Sequence, residues 1–274
     1  MKKLIFISAL FAVLFLYFKS QAIGNEGIEG NIVRPIKATK TWRFKIQNSN
    51  PDSIGYDVYE DDEDVGVKGI AVKEPYIYLT DVFHNNIKRV DLKTGKIVSS
   101  QALCKKDEMV WLRQIVVFND TLYVTADTKR IYVYSLDLKL IKELPEPDGQ
   151  KHIASVAKDS LNIFLSEDEQ QKDLSVPYNY LVIRKSGTSK VIKKVVPVQQ
   201  LKEDDKVTSM NGKKFTTETI NGKLCMKTEY GVFELKEPIK ENKEYGAYNF
   251  DFTNNTLAYF YSTPKEFVLT INQY

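Results

Sequence analysis

The chain has 274 residues, with 39 Lys+Arg against 36 Asp+Glu and a formal charge of +3. Lys2, Lys3 and Lys19 fall in the first 22 residues, which hold no acid, so the remainder balances at 36 basic and 36 acidic residues. A neutral chain lacks the net positive field of a nucleic-acid binder, and about 250 residues suffice for one large all-β domain.

The first segment concerns location rather than fold. Lys2 and Lys3 precede an uncharged apolar run from Leu4 to Phe18, and Ser20-Gln21-Ala22 supplies a small-x-small cleavage site. That order is the pattern of a secretory signal peptide, and the run is shorter than the ~20 residues of a spanning helix. An uncleaved anchor is the alternative. The expectation is a cleaved leader over 1–22, a flexible mature N-terminus over 23–40, and one domain over 41–274. Export to the periplasm or the cell exterior follows, with no stable membrane span after cleavage.

From residue 70 the chain repeats a strand phrase. Residues 70–92 read IAVKEPYIYLTDVFHNNIKRVDL and residues 115–136 read IVVFNDTLYVTADTKRIYVYSL. Each joins an apolar run, a short polar turn and two alternating runs of period two, the pattern of half-buried strands. The residue opening each second strand, Ile77, Leu122, Leu161, Leu224 and Leu257, recurs at intervals of 45, 39, 63 and 33. Four-stranded blades repeat at roughly 40 to 50 residues. The long interval holds the polar stretch 199–214, and the last is short for a full blade. Asn119-Asp120, Asn221-Gly222 and Asn254-Asn255 mark tight turns between first and second strands. No helical periodicity of useful length follows residue 22. The fold expected is all-β, a β-propeller of five to six four-stranded blades. Thr41–Ile46 and Tyr56–Tyr59 are candidates for a sixth blade, with an N-terminal strand closing the ring.

Gly69-Ile70-Ala71-Val72, Tyr76 to Asp81 and Asn85 to Asp91 together resemble an NHL-type blade. They are similar to the repeats of six-bladed, TolB-like propellers. The resemblance covers about half of the chain at the level of the repeat. It implies architecture and leaves function open, because propellers host enzymes and binding modules alike.

In such propellers ligands gather where second-to-third strand loops and blade-to-blade connections converge. Those loops correspond to 81–86, 127–130, 166–179, 227–231 and 262–266, and the connections to 104–113, 145–153 and 199–215. The candidate binding residues there are Asp81, His84, Asn86, Trp111, Arg113, Asp127, Arg130, His152 and Tyr178. Two histidines with nearby Asp81 or Asp127 lack the spacing of a metal motif, so no metal site and no cofactor is expected. The contiguous acids Glu60 to Asp64 do not alternate as calcium ligands do and read as a solvated loop. Neither a Gly-x-Ser-x-Gly elbow nor a nucleophilic cysteine context is present, which argues against nucleophilic catalysis and leans toward a non-enzyme while leaving a metal-dependent enzyme open. Cys104 and Cys225 sit in or beside apolar runs and read as packed thiols, with a disulfide as the alternative.

Three functions compete. The leading one is an exported module binding a protein, peptide or glycan through its loops. The alternatives are a metal-dependent hydrolase of the lactonase-like kind and a structural component of a cell-envelope complex.

Overall fold

A computed structural model describes residues 32–58, 64–103, 112–126, 130–145, 150–156, 159–166, 178–194, 208–210, 213–236, 241–242, 247–248 and 250–274. The leader expected over 1–22 lies outside these residues, as do Cys104, Trp111 and Asp127.

Five sheets form the blades of a propeller. Blade 1 is Val67–Lys73, Tyr76–Asp81, Asn86–Asp91 and Ile97–Ala102 in sequential antiparallel order. Blade 2 repeats this with Leu112–Phe118, Thr121–Ala126, Arg130–Ser135 and Leu140–Pro145, and blade 3 with Gln150–Val156, Ser160–Ser166, Tyr178–Arg184 and Ser189–Lys194. All five repeat markers occupy the second position of their blade's second strand, as their spacing implies. Four of them are fully buried, and Leu224 is partly so. The turn residues behave as their chemistry requires. Asn119 and Asp120 take φ of 51° and 54°, and Asn221 and Gly222 take 51° and 76°, the left-handed pair that a two-residue hairpin needs.

Blades 4 and 5 differ because the N-terminal segment completes both. Blade 4 contains Lys213–Ile220, Lys223–Thr228 and Gly231–Glu234, with a short extra strand, Thr208–Met210, at its inner edge. Its outermost place is taken by Val33–Arg34, which pairs parallel to Gly231–Glu234. Arg34 is fixed there over the Phe233 ring, 5.0 Å to its centroid, and donates to the side chains of Asn254 and Asn255. Blade 5 contains Phe250–Phe252, Thr256–Ser262 and Glu266–Gln273, and its outer strand is Ala38–Lys45. The short interval between Leu224 and Leu257 is explained: part of blade 4 comes from the other end of the chain.

Among the described residues the propeller has five blades and no sixth. Thr41–Ile46 lies in the closing strand or its margin, and Asp57–Val58 pairs with Asp64–Val65 in a small hairpin. The closing strand starts at Ala38 rather than 41, because Ala38, Thr39 and Lys40 already pair with Gln273, Asn272 and Ile271. Trp42 of that strand lies on the Asp91–Lys96 turn of blade 1. A Cβ at Gly95, where φ is +69°, would meet Trp42 Cδ1 at 2.0 Å, so only glycine allows the approach.

Apolar clusters fill the spaces between blades. Ala71, Tyr78, Leu122 and Val124 join blades 1 and 2, and Ile163, Leu181 and Val133 join blades 2 and 3. Phe215, Phe233, Phe250 and Tyr274 join blades 4 and 5, and Ile70, Ile77, Phe260 and Phe267 join blades 5 and 1. The sheets thus bury both faces, consistent with the near-continuous apolar runs in their inner strands.

Polar groups reinforce these joints. Tyr78 donates its hydroxyl to Leu136 O at 2.9 Å, and burial raises its pKa to about 12. Arg89 stacks over Tyr76 and bonds Asp137 at 2.6 Å, holding the same blade 2 turn. Asp251 accepts from Val72 N at 2.7 Å and from Lys213 Nζ at 2.7 Å, so one carboxylate ties blades 5, 1 and 4. Cys225 is buried, its thiol 3.4 Å from Lys223 O.

Candidate functional site

The densest group of titratable side chains lies at the turn between the second and third strands of blade 1. Asp81 ends one strand, His84 sits in the turn, and Asn86 and Lys88 belong to the next strand. Segment 46–56, which leads from the closing strand toward blade 1, packs onto them. It is folded on itself by Gln47 N to Ile54 O at 2.9 Å and by Asn48, which bonds both N and O of Tyr56.

Asp81 Oδ2 accepts from Gly55 N at 3.0 Å and from His84 Nδ1 at 2.9 Å, with Lys88 Nζ at 3.4 Å. Its other oxygen accepts from His84 N at 3.2 Å. His84 Nε2 faces Asn48 O at 3.2 Å, so each ring nitrogen lies against an oxygen of the protein. Lys88 donates to Pro51 O at 2.6 Å, and Asn86 donates to the same carbonyl at 2.9 Å. The Asp81 and Lys88 side chains are 0% exposed and that of His84 is 6% exposed. Burial lowers the Lys88 pKa from its ordinary value, opposed by the charges of Asp81 and Asp52.

This arrangement is a latch. Lys88 is closed off from solvent, and both oxygens of Asp81 are occupied by the protein itself. Asp81, His84 and Asn86, expected as open ligand contacts, instead face inward and hold segment 46–56. Gly55 sits at the contact because a Cβ there would lie 2.4 Å from Phe83 and 2.7 Å from the His84 ring.

The other expected residues divide. Arg130 opens the third strand of blade 2, is exposed, and pairs with Glu143. Arg113 and His152 belong to the inner strands Leu112–Phe118 and Gln150–Val156 rather than to the connections before them, because strand pairing starts earlier than the turn chemistry suggested. Tyr178 is the first residue of the third strand of blade 3, opposite Lys194. Trp111 and Asp127 lie outside the described residues.

Two exposed aromatics at the same ends of their blades were not singled out from sequence. Tyr230 lies in the second-to-third strand turn of blade 4 and is 39% exposed. Its ring meets Phe252 edge-on at 6.0 Å. Tyr261, next to the end of the second strand of blade 5, is 47% exposed. Tyr230 was reachable in principle, since an aromatic within a polar turn is the unusual residue of the loop 227–231.

Among the described residues no group of three or more His, Cys, Asp or Glu is placed to hold a metal ion, and no helix is long and apolar enough to cross a membrane. No family model matches the chain, and no curated protein matches it. Similar solved structures include a streptogramin B lyase at 14% identity, covering 86% of this chain and 98% of that one with a TM-score of 0.39. The computationally designed Ika4 protein shares 9% identity over 62% of this chain and 89% of its own, with a TM-score of 0.35. The Neurospora crassa Pan2 WD40 domain shares 8% identity over 78% of this chain and 64% of that one, with a TM-score of 0.36. Likenesses this distant say nothing of activity; the strand order itself makes this chain a five-bladed propeller.

Proposed function

We propose that the mature protein is an exported binding module that recognises a protein, peptide or glycan through the second-to-third strand ends of its blades. The observation that carries this reading is a contrast. At that end of blade 1 the charged side chains are closed off from solvent, whereas Arg130, paired with Glu143, and Tyr230 and Tyr261, on blades 2, 4 and 5, stand exposed. Tyrosine and arginine are the residue types that most often carry interface energy, because each combines a broad apolar face with hydrogen-bonding capacity. The leader pattern at 1–22 supports export, and the NHL-like phrasing of blade 1 supports a relation to repeat propellers.

The test is affinity capture from extracts of the source cells with the immobilised mature protein. Replacing Arg130, Tyr230 and Tyr261 together by alanine is expected to weaken retention of the captured partner at least tenfold, since each hot-spot truncation costs about 1–2 kcal/mol or more. Equal retention by both proteins would remove the reading. A tightly held divalent cation in the mature protein would favour the hydrolase alternative.

A further inference from the structure

Blades 1, 2 and 3 carry outermost strands of their own, namely Ile97–Ala102, Leu140–Pro145 and Ser189–Lys194. Among the described residues such a strand has no further ladder partner, and its outer row of N–H and C=O groups invites another strand. Two of the three edges are irregular. Ile97–Ala102 joins its neighbour through a register shift at Arg89/Val90, and Leu140–Pro145 through one at Val133/Tyr134, before ending in proline. A bulge twists an edge away from new partners.

Ser189–Lys194 has neither device. It pairs with Tyr178–Arg184 through six consecutive positions, from Tyr178↔Lys194 to Ile183↔Ser189, with no shift. Val191 and Ile192 are 46% and 38% exposed. The Arg184 N to Thr188 O bond of 2.8 Å sets the alternation. Val182/Lys190 and Tyr180/Ile192 are then bonded pairs, and the backbone groups of Ser189, Val191 and Lys193 point to the open edge.

The flanking chemistry narrows the occupant. Leu181 and Ile183 pack into the core between blades 2 and 3. On the opposite face of the hairpin, Val182, Arg184, Lys190 and Ile192 line a groove of about 470 Å³. The strand reads Ser-Lys-Val-Ile-Lys-Lys, with three lysines and no acid. Arg184 and Lys190 have no carboxylate partner among the described residues. A second copy of this strand would set lysines beside lysines, which is unfavourable.

We propose that this edge accepts an extended acidic–apolar segment of a partner protein as an added strand of blade 3. Its backbone would pair with Ser189–Lys194, its carboxylates would lie on the groove face beside Arg184 and Lys190, and its apolar side chains would lie on the other face beside Val191. The chain itself makes contacts of this kind, since Val33–Arg34 and Ala38–Lys45 are added at the outer edges of blades 4 and 5. The proposal stands apart from the loop-end reading and holds whether or not that reading does.

The probe is a fluorescein-labelled synthetic peptide that alternates Glu with Val and Ile, titrated with the mature protein by fluorescence anisotropy. Saturable binding is expected, with at least tenfold weaker binding of a counterpart carrying Lys for Glu. Val191→Pro removes an outward N–H without touching an inward bond; it should weaken the Glu peptide at least tenfold and leave the thermal midpoint unchanged. Lys190→Glu should reverse the preference between the two peptides, and it decides the matter alone if the proline variant does not fold. The variant lacking Arg130, Tyr230 and Tyr261 should bind the peptide like wild type. Absence of saturable binding, equal binding of both peptides, or wild-type affinity in a folded Val191→Pro protein would overturn the proposal. So would a concentration-dependent dimer that Val191→Pro abolishes while the peptide does not bind.

Discussion

Asp81→Ala is expected to lower the unfolding free energy by about 3–5 kcal/mol, the usual cost of removing one partner from a buried charge pair. Lys88 and His84 would keep their donors in a site closed to water, and Gly55 N would lose its acceptor. Asp81→Asn keeps the shape but not the charge and should be nearly as damaging. Replacing Asp81 by Ala and Lys88 by Met together should recover part of the loss, because an apolar pair leaves no stranded charge. Equilibrium urea denaturation reads all three effects. A loss below about 1 kcal/mol in Asp81→Ala, the range of a surface ion pair, would show that the latch is not as closed as described.

Removing the closing strand should act more drastically. A chain starting at Ile46 lacks Ala38–Lys45 and with it eight paired positions, from Ala38↔Gln273 to Lys45↔Glu266. Trp42 and Phe44 leave the cluster that contains Phe260 and Phe267. Full burial of such a side chain contributes about 1.5–3 kcal/mol; these two are partly buried, so together they contribute about as much as one full burial, against a total stability of about 5–15 kcal/mol. The cut also bares Glu266–Gln273 as a long apolar edge, an aggregation hazard. The expected outcome is loss of the near-ultraviolet dichroism of packed aromatics and elution as aggregate in size-exclusion chromatography. A synthetic peptide of residues 32–46, added during refolding, should restore a monomeric peak. A truncated chain that unfolds cooperatively with the wild-type midpoint would contradict closure by this strand.

Blades 1 to 3 were legible because their information is local. Alternation, two-residue turns and one recurrent Leu or Ile per blade define each meander without reference to the rest of the chain. Blades 4 and 5 were less legible because their outer strands lie about 200 residues away in sequence, and pairing at that distance leaves no periodic trace. The interval of 33 before Leu257 did record the missing strand, although without the partner it looked like a truncated blade. Site residues were harder. Asp81, His84 and Asn86 sit in a polar turn, as an open ligand contact would. Only the packing of 46–56, which no local pattern predicts, turns them inward. Lys88 escaped notice because a lysine in a strand is ordinarily solvated; its face is shared with the buried Asn86 and Val90, and that alternation was the available clue.

Site-specific photo-cross-linking in the source cells tests whether the second-to-third strand ends meet a partner. A photoreactive phenylalanine analogue placed at Tyr230 or Tyr261 should yield a discrete adduct of defined mass. The same group at Asn221, in the first-to-second strand turn of blade 4, should yield none. Adducts of equal intensity from all three positions, or from Asn221 alone, would contradict the account.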